Sequence, residues 1–237
     1  MNTRYSVAGS VLIALAWTLP SSATASELPY TFMDFQMLDT TVDSVAVQSP
    51  VPGQTVSVEL GKGDGIAVAG ALALGSRFYL HGSYRSSIID VRGRVESPLA
   101  VADVTGQFDL VTTTLGMGYQ RQLHETFDVV AELSLETADY DFGSFAGENF
   151  DTDDSGIGAR VGFRWNPQRA IEIFGGARYT PHGKALISER TFDSDVVLGA
   201  GLRWYFYREL AVGIDYEAGD VETLTIGMRF SFGNLQW

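Results

Sequence analysis

Residues 222–232 read Glu-Thr-Leu-Thr-Ile-Gly-Met-Arg-Phe-Ser-Phe. Leu224, Ile226, Met228, Phe230 and Phe232 alternate with Thr223, Thr225, Gly227, Arg229 and Ser231. Period two makes this a strand with one apolar face and one polar face. Two environments suit such a strand. A soluble sandwich would put the polar face in water, and a transmembrane barrel would put the apolar face in lipid. The rest of the chain favours the barrel.

The same alternation recurs through most of the 237 residues, and helical periodicity is nearly absent. Ten strands are predicted, near 30–38, 65–74, 78–87, 108–119, 127–138, 155–165, 170–179, 195–206, 210–218 and 222–232, with eight as the fallback. Short links follow strands two, four, six and eight. Longer links, at 39–64, 88–107, 139–154 and 180–194, follow strands one, three, five and seven. The link near Gly219 is short and breaks that alternation. Short turns on one side and long loops on the other mark an outer-membrane barrel. Within the first long link, 43–48 and 55–60 also alternate around Pro50-Val51-Pro52-Gly53, which suggests a hairpin standing above the membrane. Residues 88–96 suggest the same.

Aromatic placement is a second sign. The apolar face carries Phe78, Tyr119, Phe127, Trp165, Trp204, Phe206 and Phe232 at the short-turn ends. It carries Tyr84, Tyr179 and Tyr216 at the other ends. Two aromatic girdles at headgroup level are expected of a membrane barrel. The polar face holds Asp34, Asp128, Glu132, Glu136, Glu172, Asp215 and Glu217. With them stand Arg85, Arg160, Arg164, Arg178, Arg203 and Arg229. A narrow lumen requires such a balance, because an unpaired buried charge costs several kcal/mol, roughly 3–5. The ion network expected to plug the lumen comprises Asp34, Arg85, Glu132, Arg160, Arg164, Arg178, Arg203, Asp215, Glu217 and Arg229. Arg229 is expected beside Asp34, Asp215 or Glu217. Small residues on this face (Ala67, Ala69, Ala71, Ala73, Gly116, Gly158, Gly213, Gly227) are expected to make room for the arginines.

The first 25 residues carry Arg4, an apolar stretch from Val7 to Trp17, Pro20, and the small residues Ala23-Thr24-Ala25. That is a signal-peptide pattern, with cleavage expected after Ala25 and a barrel domain over 26–237. No later run is long enough for a transmembrane helix. The formal charge is −13 with scattered basic residues, which argues against nucleic acid. Absence of cysteine excludes disulfides and thiolate metal sites.

Thr225-x-Gly227-x-x-Phe230-x-Phe232, together with the strand pattern over 30–232, resembles the small bacterial outer-membrane barrels of the OmpA-like and opacity-type superfamily. The resemblance implies an outer-membrane location. It also implies that the barrel-assembly machinery recognises the last strand through Thr225, Gly227, Phe230 and Phe232. Residues 233–237 extend beyond the last aromatic of that pattern, a departure from many members.

Candidate chemistry is sparse. His81-Gly82-Ser83 has the His-x-Ser form of an outer-membrane lipid A deacylase, but the polar-face register points both residues inward. Asp139, Asp141 and His182 fall near the outer rim, where ten-stranded proteases keep their acids and histidines, yet no spacing ties them together. The run 151–156 lacks Glu at position twelve of an EF-hand loop, where Gly162 stands, and reads as a solvated acidic loop. No cofactor is expected. The leading expectation is a monomeric, non-enzymatic envelope or surface-interaction barrel whose partners are outer-membrane lipid and lipopolysaccharide. A narrow pore is the alternative, and a barrel-embedded lipid A or peptide hydrolase the third.

Overall fold

Among the described residues, eleven strands form one antiparallel sheet whose first strand pairs on both edges. They are β1 (Phe32–Val42), β2 (Val45–Val47), β3 (Thr55–Ala73), β4 (Phe78–Ser97), β5 (Ala100–His124) and β6 (Phe127–Phe145). The others are β7 (Glu148–Gln168), β8 (Ile171–Tyr179), β9 (Val196–Tyr207), β10 (Leu210–Ala218) and β11 (Val221–Ser231). The computed structural model describes residues 30–42, 45–47, 55–97, 100–145, 148–168, 170–181, 196–219 and 221–232. The signal segment and residues 233–237 lie outside them.

β1 meets β11 from Phe32↔Ser231 to Val42↔Val221, and meets β3 from Phe32↔Ala71 to Thr41↔Lys62. The sheet is therefore a closed barrel. β2 pairs with β3 at Val45↔Val58, which keeps the β1–β3 register. β1 and β2 are thus one stave, and the barrel has ten, in up-and-down order.

Five strands run further than hydrophobicity suggested. β3 begins at Thr55, β4 reaches Ser97, β5 begins at Ala100, β6 reaches Phe145 and β7 begins at Glu148. Of the expected hairpins, 45–47 pairs with 56–58 and 88–96 is paired along β4, while 43, 44 and 48–54 lie outside the described residues. The stretches 88–107 and 139–154, read as loops, are corrected: Ile89 pairs with Phe108, Ser97 with Ala100, Asp141 with Asp151 and Phe145 with Glu148. The cause is solvent. Above the bilayer the outward residues no longer meet lipid, so they turn polar while the backbone ladder continues. β8 to β11 have 9, 12, 9 and 11 residues, so among the described residues the wall is tallest along β3–β7.

Outward positions of the lower barrel are large, apolar and exposed: Met37 at 73%, with Ile66, Leu115, Leu133, Leu135, Ile157, Leu198 and Ile226 around the circumference. Phe78, Trp165, Trp204, Phe206 and Phe232 ring the short-turn end, and Tyr84, Tyr179 and Tyr216 ring the other. Water would penalise that continuous band at about 25 cal/mol per Å². Hydrocarbon does not. No helix among the described residues is long and apolar enough to cross a membrane. Strands do the crossing, and the closed sheet pairs their backbones from one neighbour to the next. A charge placed in the middle of the band, Leu133→Arg, is expected to cost about 2–4 kcal/mol of stability in phospholipid vesicles. Urea titration measures it, and an unchanged midpoint would place Leu133 outside lipid.

Candidate functional site in the barrel lumen

Inward positions carry the charges, because each strand shows alternate residues to the two faces. They stack in layers along the barrel axis.

The layer nearest the short turns is dense. Arg229 and Asp34, direct partners across the β1–β11 ladder, form a two-pronged pair: Nε to Oδ1 and Nη2 to Oδ2, both 2.7 Å. Arg164 does the same with Glu172, at 3.0 and 2.8 Å. Glu172 also accepts from Arg203 Nη1 and from the Tyr205 hydroxyl, each at 2.8 Å. Arg203 lies 4.0 Å from Asp34 and so links the two pairs. Each arginine covers a ring: Arg164 over Tyr30 at 4.5 Å, Arg203 over Phe174 at 3.8 Å, and Arg229 over Phe32 at 3.4 Å. Tyr30, just before β1, donates to Asp128 at 3.2 Å. Asp128 and Glu172 are wholly buried, and Asp34, Arg164 and Arg229 nearly so. Planar guanidinium groups suit this layer, since they bind carboxylates two-pronged and stack on rings at once.

A looser layer lies above. Arg85 holds Glu217 at 2.6 and 3.4 Å, with Arg178 3.9 Å from the same carboxylate. Glu132 accepts from the Tyr79 hydroxyl at 2.6 Å and sits 3.5 Å from Arg160. Asp215 stands beside Arg203 and Thr225. These groups line a chamber of about 200 Å³. All ten residues of the expected ion network therefore face one lumen, divided between these two layers.

The third layer was missed. Val42, Ile89, Phe108, Ala138 and Tyr140 are almost fully buried and form one apolar cluster, with Val91, Leu110 and Val221 packed against it. It joins β1 and β11 to β4, β5 and β6 across the outer end of the barrel. Burial, helped by the Asp154 carboxylate, pushes the Tyr140 phenol up to about 12. Tyr140 is accordingly uncharged at neutral pH. These residues continue the inward parity of their strands, a signal lost when 88–107 and 139–154 are read as loops.

Glycines fit this lumen differently from the expectation. Only Gly213, among the glycines named for it, yields space to an arginine, Arg203. A side chain at Gly116 would strike the His81 ring, at Gly158 the Glu136 carboxylate, and at Gly227 the Gln36 side chain. Gly118 and Gly201 likewise lie under Tyr79 and Phe174. The inward aromatics Tyr30, Tyr79, Phe174 and Tyr205 escaped notice as site residues. Aromatic residues sharing parity with arginines were the available clue.

No protein-family model matches the chain, and no curated protein matches it. Among solved structures it is similar to the translocator domain of the autotransporter NalP from Neisseria meningitidis, at 14% identity over 95% of each chain, with a TM-score of 0.46. It is similar to Ail, the attachment invasion locus protein of Yersinia pestis, at 13% identity over 85% of this chain and 96% of that one, TM-score 0.39. It is similar also to the outer membrane protein OprG of Pseudomonas aeruginosa, at 10% identity over 86% and 97%, TM-score 0.43. The likeness is one of general barrel shape and says nothing of function.

The remaining candidates do not assemble. His81 Nε2 has no hydrogen-bond partner, so His81 and Ser83 do not form a base–nucleophile pair. Asp139 and Asp141 face outward on β6, and His182 lies outside the described residues. The run 151–156, read as a solvated loop, is strand within β7. Among the described residues, no group of three or more histidines and acids is placed to hold a metal. On the last strand, Thr225 is buried inward and Gly227 faces β1 at Gln36, while Phe230 and Phe232 point outward.

Above the apolar band the outward face is acidic. Asp39 pairs with Asp64, Asp109 with Asp141, and Asp139 with Asp153, all exposed. Asp90, Asp103 and Glu222 are exposed on the same side of the wall, with Lys62 and Arg92 as the basic residues among them.

Proposed function

We propose that the chain is a monomeric, non-enzymatic barrel of the bacterial outer membrane, with a closed lumen and a tall, acidic surface wall that meets the outside environment. The observation that carries this reading is the dense ionic layer across the lumen near the short turns. At the other end an apolar cluster from β1, β4, β5, β6 and β11 narrows the lumen. A water-filled conduit would not keep such a layer. The blocked end favours a structural or surface-interaction role over the narrow pore. A signal peptide cleaved after Ala25, and recognition of Thr225, Gly227, Phe230 and Phe232 by the barrel-assembly machinery, complete the route to the membrane in this reading. The acidic face stands level with the lipopolysaccharide headgroups, so contact with that lipid is expected to depend on counter-ions.

Absence of cysteine makes a clean topology test. Cysteine introduced at Gln107, on the tall wall, is expected to react with a membrane-impermeant maleimide on intact cells. Cysteine at Gln122, beside a short turn, is expected to react only after the outer membrane is opened. Labelling at Gln122 and not at Gln107 would invert the orientation and remove the surface role.

A further inference from the structure

Arg160 and Arg178 are direct partners across the β7–β8 ladder, and both point into the central chamber. Like charges placed opposite each other on a sheet repel, unless something lies between them. Each arginine only shares a carboxylate, Arg160 that of Glu132 and Arg178 that of Glu217, at longer range than the lower pairs. Glu132 takes its short hydrogen bond from Tyr79 and Glu217 takes its own from Arg85, each at 2.6 Å. Arg160 is left 3.5 Å from Glu132, and Arg178 is left 3.9 Å from Glu217. Arg178 Nε is buried without a hydrogen-bond partner. The two side chains keep 39% and 27% exposure although they lie inside the barrel, because they border the chamber. The lower arginines show the contrast, each held by a carboxylate at 2.7 to 3.0 Å.

A guanidinium carries five N–H donors in a planar fork, which matches an oxyanion. The chamber, about 200 Å³, holds one phosphate-sized ion with some water. Gly199 gives it a wall of bare backbone. We propose that Arg160 and Arg178 form a binding site for a small free oxyanion of the phosphate type, bridged between the two guanidinium groups. The site goes beyond the surface role proposed above and does not depend on it; the ion would enter from the outer end, beside the apolar cluster, which among the described residues draws nothing from β7 to β10.

The test is calorimetric titration of the refolded full barrel in detergent with inorganic phosphate, against chloride at matched ionic strength. Saturable one-to-one binding is expected. Arg160→Gln and Arg178→Gln are each expected to weaken it at least about tenfold. Arg92→Gln, on the outer face, is expected to leave it unchanged. If a glutamine variant does not fold, R160K and R178K take its place and are expected to weaken binding through loss of the fork. No saturable heat up to about 10 mM phosphate would overturn the site, and so would full affinity in both lumen variants. Lipopolysaccharide added without free phosphate is expected not to compete. Competition would place the phosphate contact on the outer surface and overturn the lumen assignment.

Discussion

Glu172→Ala is expected to lower the unfolding free energy of the barrel by about 3–5 kcal/mol, the cost of stranding buried charge. Glu172 is fully buried and accepts from Arg164, Arg203 and Tyr205. Its removal leaves two guanidinium groups facing each other in a space with little water. The loss is larger than for an exposed pair, which is worth about 0.2–1 kcal/mol. Glu172→Gln keeps an acceptor and the packing, so it should cost less than alanine. Removing Arg164 as well, by Arg164→Met on the alanine background, should recover part of the loss, since the stranded charge is then halved. Urea titrations of these variants and of Arg164→Met alone, in phospholipid vesicles, give the coupling. Additive effects of the two substitutions would show that Arg164 and Glu172 do not act as a unit.

Asp34→Ala is the second large effect, again about 3–5 kcal/mol by the same argument. Here the location adds a kinetic consequence. Asp34 and Arg229 are 195 residues apart and sit on the two strands that meet only when the barrel closes. Their two-pronged pair is therefore a latch on the seam. Loss of the latch should slow folding into vesicles, whereas loss of Glu172, whose partners sit on β7 and β9, should act mainly on the unfolding rate. The charge exchange Asp34→Arg with Arg229→Asp is expected to restore part of the stability. Full recovery is not expected, because Arg203 approaches Asp34 and Phe32 lies under Arg229. Equal folding rates for Asp34→Ala and the unaltered chain would remove the latch.

The barrel was legible because lipid forces a strict rule on each strand. Leu224, Ile226, Met228, Phe230 and Phe232 could be assigned to lipid from their parity alone, and Arg229 to the lumen. The partner of Arg229 was narrowed to three acids by strand neighbourhood. The register that selects Asp34 depends on how β1 and β11 align, which turn lengths leave open for strands joined only by closure. The tall wall was only partly visible. Residues 88–96 kept their alternation, but Asp139, Asp141 and Asp153 look like loop residues until the partner strand is seen. The apolar cluster around Ile89 and Phe108 was hidden for the same reason. Above the membrane the polarity of the two faces is reversed: acids lie outside and apolar residues inside. A reading tuned to the lipid-spanning part cannot recognise that change. Tyr30 shares the parity of Asp34 within the expected strand 30–38, so its inward direction was legible, but its stacking under Arg164 was not, because that contact crosses the lumen from β7.

Conductance across a planar lipid bilayer tests the central claim most directly. In the proposed function the Asp34–Arg229 and Arg164–Glu172 layer blocks the lumen near the short turns, and the Val42–Ile89–Phe108–Tyr140 cluster narrows the other end. Unaltered protein, with insertion verified by its folded mobility on gels, is expected to give no unitary current steps over many insertions. Reproducible discrete steps from the unaltered chain would contradict the blocked lumen and make the barrel a pore.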